Sequence, residues 1–404
     1  MNPSIRFPTF KEPWRATTLG EYFTFKNGVN AEKGMYGSGR KFINVMDVIA
    51  HAPITHDSII GSVEISDKDF AKNEVKYGDV LFQRSSETRA EVGQSNVYLD
   101  KPPVTFGGFV IRGRPKTEIE PRYFDALLKT ASVRKDMTSR SGGSTRYNIG
   151  QESLEVVQIH VCPTADEQEK IADFLGAVDE RIRLLQRRRD ALARYKTGMM
   201  QRLFDQSLRF TRDDGTAFPD WVEKPLAEIA SVVGGGTPDT NVKSYWGGNI
   251  PWFTPTEIKS KYLGSSARML TPEGLKNSSA KILPIGTLLL STRASVGDVG
   301  IALRECTTNQ GFQSLVMKGP NVNEFWYQWI LQHKKKFVRR AAGSTFLEIN
   351  KTEVSKIRAE TPHPDEQRKI ADFLGALDDK IVGISAQIDH MQTFKKGLLQ
   401  KMFV

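Results

Sequence analysis

The sequence predicts an α+β chain: two similar mixed α/β globules separated by two long antiparallel coiled-coil helices, the whole an internal repeat about a pseudo-two-fold axis. Three observations lead there. A 17-residue block, Asp166 to Ile182, returns 199 positions later as Asp365 to Ile381 with 13 positions unchanged. Each copy opens a segment whose apolar residues alternate in spacings of three and four, the period of a coiled-coil seam. The stretches ahead of the blocks carry short strand-like runs between Gly, Pro, Ser and Asn clusters, followed by one helix in each half.

Bulk composition fits two ordinary cores and constrains the partner. The 404 residues are 39% hydrophobic, and 57 Lys and Arg against 47 Asp and Glu leave a formal charge of +10. With a pI near 9.4, that balance favours a polyanionic partner. Cys162 and Cys306 are the only cysteines, too few for a disulfide framework and typical of a reducing compartment. No apolar run approaches a membrane span and no signal-peptide core opens the chain, so a cytoplasmic protein without a membrane partner is expected.

The expected division is 1–163 for the first globule, 164–206 for its helix, 207–362 for the second globule and 363–404 for the second helix. Within the first globule, Tyr77-Gly78-Asp79-Val80-Leu81 reads as a turn entering a strand, matched by Ile285-Gly286-Thr287-Leu288-Leu289; Gly108-Phe109 is matched with Gly311-Phe312. A helix is expected around 121–139, and its counterpart around 323–340. Each ends in cations and the same turn: Arg134, Lys135 and Arg140 precede Gly143-Ser144-Thr145, while Lys334, Lys335 and Arg340 precede Gly343-Ser344-Thr345. Hydroxyls, free backbone N–H groups and guanidinium in one small loop suit a phosphate. The same cations could instead complement a helix C-terminus.

The first long helix carries its seam on Ile171, Leu175, Val178, Ile182, Leu185, Leu192, Met199 and Leu203, with Arg189 and Lys196 as polar interruptions. The second repeats it on Ile370, Leu374, Leu377, Ile381, Ile384, Ile388, Met391, Leu398 and Met402. Thr164 to Glu167 has capping-box spacing, and Pro364 stands where a first-turn proline is tolerated. At about 1.5 Å per residue, about 40 residues would reach roughly 60 Å. Equal seams in a globule–helix–globule–helix order require the second helix to return along the first. Gly176 and Gly198, repeated as Gly375 and Gly397, either permit close approach of the pair or mark bends.

The stretches that differ between the halves are the candidate readers. The first holds Arg84, Ser85, Ser86 and Arg89, with Arg146 after the Gly-Ser-Thr turn. The second holds Thr237, Lys243, Tyr245, Trp246, Trp252, Arg293, Asn309 and Gln310. Arginines, amides and aromatics can pair with base edges, stack or wedge a groove. Two copies of one scaffold with unlike loops would read two unlike sequences. Catalytic motifs are missing: Gly34 to Lys41 lacks the final pair of a phosphate-binding loop, Gly234-Gly235-Gly236 is no dinucleotide fingerprint, and the dispersed histidines, His51 and His56 included, suggest no metal site. The chain is expected to bind rather than transform.

The doubled DEQ-x-KIADFLGA-x-D block, the Gly234 to Pro238 and Trp246 to Trp252 opening of the second globule, and the run Thr308 to Gln313 resemble the specificity subunits of type I restriction-modification systems. The resemblance implies that the globules are target recognition domains on double-stranded DNA, each reading one half of a split sequence. It also implies that the helices set the gap and dock two methyltransferase subunits, for which Arg181, Arg183, Arg187 and Arg188 supply charge. Restriction and translocase subunits would join. No cofactor is expected in this chain; S-adenosylmethionine, ATP and magnesium would belong to the partner subunits. The first globule departs from the pattern, since Asn27 to Gly39 lacks the Thr-Pro and both tryptophans. Rival readings are a related system that cuts on both sides of its site, a fused methyltransferase, and an architectural coiled-coil protein.

Overall fold

The computed structural model describes residues 3–293, 295–343 and 347–403. The chain divides into two compact units, Met1–Gln186 with Ala386–Val404, and Arg187–Ser385. The cuts fall midway along both long helices, at positions related by the repeat. Each unit therefore contains a globule, the first half of its own helix and the second half of the other repeat's helix.

The two globules share one strand plan. In the first unit a four-stranded antiparallel sheet runs in the order Phe23–Asn27, Val110–Pro115, Val80–Gln83, Ser95–Val97. The second unit repeats the order with Ala230–Gly234, Gln313–Met317, Leu288–Leu290 and Val299–Ala302, and adds Tyr262–Leu263 at the edge. A three-stranded sheet follows in each: Ser62–Val63, Tyr36–Ile43, Thr105–Phe106, and Arg268–Leu270, Trp246–Phe253, Thr307–Thr308. The central strand shifts register at the same place in both, between Tyr36 and Arg40 and between Trp246 and Ile250. Gly78 and Gly286 adopt φ of +86° and +84° at matching turns, a conformation that costs a side chain but not glycine.

Strand pairing corrects two sequence matches. Asn27 faces Ile111 and Gly234 faces Gln313, so Phe109 corresponds to Gly311 and Gly108 to Gln310, one residue from the register read in sequence. The expected helices at 121–139 and 323–340 are each broken in two, as Pro121–Leu128 with Ala131–Ser139 and Asn323–Gln332 with Lys334–Val338. In the first, the Thr130 hydroxyl donates to the Leu127 carbonyl and closes the turn at the break.

The long helices span Ala165–Phe204 and Pro364–Met402. Most of the expected seam is dry: Ile171, Leu175, Val178, Ile182 and Leu185 are at most 9% exposed, as are Ile370, Leu374, Leu377, Ile384 and Ile388, whereas Leu192, Met199, Ile381 and Met391 are only half-buried. In the first unit Asp179 meets Lys395, while Arg181 and Leu185 lie beside Ala386, Gln387, His390 and Met391. Rising numbers on one helix meet falling numbers on the other, so the halves run antiparallel. The second unit agrees: Lys196 meets Asp378, and Leu203 shares a core with Ile370, Ala371 and Leu374. The glycines serve no close approach. A Cβ built on Gly176, Gly198 or Gly397 meets nothing within 4 Å, and on Gly375 only the Lys261 ammonium at 3.9 Å.

No capping box forms at Thr164, because Glu167 is engaged elsewhere. Its fully buried carboxylate accepts from Arg6 Nε at 2.7 Å and Nη2 at 2.8 Å, and from Trp14 Nε1 at 3.3 Å. The second unit repeats the clamp: Arg209 Nε and Nη2 donate to Glu366 at 3.1 and 2.9 Å, and Trp221 Nε1 at 3.0 Å. A bidentate guanidinium and an indole offset the desolvation of a buried carboxylate, which explains the invariance of the glutamate between copies. The neighbouring Gln168 and Gln367 donate to the backbone carbonyls of Cys162 and Pro362 that lead into each helix. No helix among the described residues is long and apolar enough to cross a membrane.

Candidate functional site

In the first unit the loops at the strand ends converge on one polar cavity of about 280 Å³, lined by Asn30, Arg84, Ser85, Gly108, Phe109, Arg146 and Asn148. Backbone bonds from Arg84 N to Phe109 O (2.9 Å) and from Ile149 N to Arg84 O (3.0 Å) tie three loops together. Arg84 Nη1 donates to Gly108 O at 3.2 Å, and Ser85 Oγ to Asn148 Oδ1 at 2.5 Å. Phe109 remains 60% exposed. Ser144, Thr145 and Arg146 project from a loop closed by reciprocal Gly142–Asn148 backbone bonds, with Gly143 at φ +113°. Asn30, Phe109 and Asn148 escaped the sequence reading, since nothing in a lone residue reveals which loops meet.

Several residues expected at the surface of this site build it instead. Arg134 Nη2 donates to the carbonyls of Ala90 and Val92 at 2.9 and 2.8 Å, pinning the loop that carries Arg84 to Arg89, and burial lowers its pKa. Arg89 caps the carbonyls of Thr138 and Ser139, as a cation at a helix C-terminus does. Arg140 pairs with Asp136, which also accepts from the Gln158 amide. Ser86 is buried and bonded to Glu91. Lys135, unlike Arg89, Arg134 and Arg140, stands exposed without a partner among the described residues, as does Arg146.

The second unit offers different chemistry on the same frame. Thr237 Oγ1 donates to Gln310 Oε1 at 2.5 Å, at the position of Asn30 and Gly108. Asn309 Oδ1 accepts from the Gly311 amide at 2.9 Å. Trp246 and Trp252 pack edge to face with ring centroids 5.0 Å apart; Trp252, 5% exposed, donates to Gly236 O and belongs to the core, which corrects its expected place at the surface. Tyr245 is half-buried and its carbonyl accepts from Thr271, while Lys243 is exposed. Arg293 pairs with Glu348 at 2.9 Å, Lys334 with Asp298, and Arg340 with Glu353 at 3.0 Å; Lys335 is exposed. Ser344 and Thr345 lie outside the described residues.

The tryptophan pair also has a counterpart that the sequence hid. Tyr36 and Phe42 occupy the positions of Trp246 and Trp252 on equivalent strands and pack edge to face at 5.4 Å. The first globule thus keeps the pair with smaller rings. No group of three or more His, Cys, Asp or Glu able to hold a metal occurs among the described residues.

The family model for the type I restriction modification DNA specificity domain matches residues 11–194 and again 219–390. The chain belongs to that family. Each match takes in a globule and the first part of the helix that follows it, so this specificity subunit carries two DNA specificity domains. It is 25% identical over 96% of its length to the putative type I restriction enzyme MjaX specificity subunit of Methanocaldococcus jannaschii, covering 92% of that protein. To the MjaIX specificity subunit of the same organism it is 34% identical over 48% of this chain, and the alignment spans 46% of the relative. The fold matches the type I S subunit from M. genitalium with a TM-score of 0.62 at 16% identity, covering 100% of this chain and 99% of the other. These relatives are named as specificity subunits.

Proposed function

We propose that this specificity subunit reads an asymmetric, split target on double-stranded DNA, one half per recognition domain, and delivers methyltransferase subunits to it. The observation that carries the reading is one scaffold bearing unlike surfaces. Where the first unit presents Arg84, Phe109 and Asn148, the second presents Gln310 and Glu348, with Thr292, at the place of Arg84, fully buried. Lys135, Lys335, Arg146 and the Gly-Ser-Thr loops supply phosphate contacts that position each domain without carrying sequence. The recognition domains are 1–163 and 207–362, and the helices 164–206 and 363–404 fix the unread gap.

Two methyltransferase subunits dock on the helices. Tyr195 and Phe394 occupy equivalent positions of the repeat and are 51% and 46% exposed, aromatic anchors suited to two identical partners. Arg181, which lines a groove of about 400 Å³ with Leu185, His390 and Met391, adds charge together with the exposed Arg187 and Arg188. Arg183 is paired with Glu180. Restriction and translocase subunits join the same complex in the cytoplasm; S-adenosylmethionine, ATP and magnesium reside in the partners.

The test is methylation-sensitive sequencing of DNA from cells that carry this chain with its methyltransferase. A mark at adenines in two dissimilar half-sequences at constant separation supports the reading. A palindromic or contiguous target, or no new mark, refutes it.

A further inference from the structure

The guanidinium of Arg268 lies over Trp246, its central carbon 3.3 Å from the ring centroid, and 5.6 Å from that of Trp252. The side chain is exposed, and among the described residues it has no carboxylate or carbonyl partner. That combination is unusual in this chain: Arg84, Arg89, Arg134, Arg140, Arg293 and Arg340 all spend donors inside their own domain. Arg40 also lies over a ring, that of Phe70, but Asp67 neutralises it at 2.5 Å. Arg268 is therefore a pre-oriented fork of N–H donors with nothing to bind.

Its surroundings hold it still. Trp246 is fixed by its indole bond to Asp239 O at 3.2 Å and by the edge contact with Trp252, whose own indole donates to Gly236 O at 2.8 Å. Gly236 leads directly into Thr237, the partner of Gln310. Arg268 thus stands on a rigid aromatic shelf beside the loop expected to face the bases. The first unit offers no counterpart, because the strand pairing puts Gly61 at this position.

We propose that Arg268 is the residue with which the second recognition domain selects a guanine, its two parallel donors meeting O6 and N7 at the major-groove edge while the ring of Trp246 holds the fork in plane. Stacking suits arginine and not lysine, and two donors in one plane match guanine and no other base. This rests on the DNA-reading function proposed above.

The test uses the chain co-expressed with its methyltransferase subunits, and compares the wild type with Arg268→Ala, Arg268→Lys and Trp246→Leu by sequencing the methylated sites. Both Arg268 variants should lose the choice of guanine at one position of the second half-sequence by roughly ten- to hundredfold. Trp246→Leu, which removes the shelf together with its bond to Asp239 O and leaves the guanidinium in place, should relax the same position less. The first half-sequence should stay as it was, and so should the other positions of the second half-sequence, which shows that the second domain still folds. A loss that Arg268→Lys restores, or one spread evenly over all sequences with a salt dependence shallower by about one unit, makes Arg268 a phosphate contact and overturns the proposal. Unchanged half-sequences in every variant overturn it too. A wild type that marks no split target refutes the function itself.

Discussion

Lys196 Nζ lies 2.6 Å from Asp378 Oδ1, and the repeat reproduces the pair as Lys395 with Asp179, also at 2.6 Å. Each pair joins the two helices within one unit, so the duplication is written into the contacts as well as the residues. The copies are not equally sheltered: Lys196 and Asp378 side chains are 13% and 24% exposed, against 29% and 53% for Lys395 and Asp179. Gln328 further donates to Asp378 at 2.7 Å. Asp378→Ala strands two donors and should destabilise the protein by about 2 kcal/mol, whereas Asp179→Ala should cost less than about 1 kcal/mol. Denaturant unfolding of the two variants and their lysine partners, treated as double-mutant cycles, checks the order.

The glutamate clamps should be the most sensitive electrostatic positions. Arg6→Ala or Arg209→Ala leaves Glu167 or Glu366 charged and buried, a loss of about 3–5 kcal/mol. Changing the acid to glutamine together with the arginine to methionine should recover much of it, because no uncompensated charge then remains. Thermal unfolding of singles and doubles distinguishes this from a simple loss of packing.

The first reading surface should answer independently of the second. Arg84→Ala and Phe109→Ala should relax the first half-sequence and leave the second alone. Arg146→Ala, at a loop beside the phosphate-suited turn, should weaken binding to all sequences and flatten its salt dependence by about one unit. Methylome mapping and affinity at two or more salt concentrations separate the outcomes.

His333 should make stability fall in mild acid. Burial holds its pKa below the ordinary 6.5, and its ring stacks on Trp329 at 4.5 Å. A depressed base is neutral in the fold, so its contribution is intact above the unfolded pKa near 6.5 and is lost as pH drops below that value, where the unfolded chain takes the proton more readily. Melting temperature measured from pH 8 to 5 should decline less steeply in His333→Gln.

The thiols should be silent in the native protein. Burial pushes Cys162 and Cys306 up to about 12, so neither forms thiolate at pH 8. A thiol reagent should count none in the folded chain and two in denaturant.

How much of this was legible in the sequence depends on the range of the interaction. The helix seam was readable because period and burial coincide over many residues, and the turn glycines because φ near +85° selects them. The Tyr36–Phe42 pair was not: loop lengths shift its register against Trp246–Trp252, and the ring types differ. Arg6 and Arg209 stood in unremarkable linkers, their meaning visible only where they meet Glu167 and Glu366. For the site, residue type pointed to Arg84 and Trp246, but type cannot tell a reader from a brace. Arg134 and Arg89 brace loops, and Arg268, named by no motif, is free.

The claim that reading belongs to the globules and spacing to the helices is tested most directly by lengthening both helices together. Seven residues of seam-preserving sequence inserted after Gln186 and after Ser385 add about 10 Å at 1.5 Å per residue, roughly three base pairs of duplex. Methylome sequencing of that variant should show both half-sequences unchanged with a gap longer by about that amount. Altered half-sequences across the original gap would contradict the account.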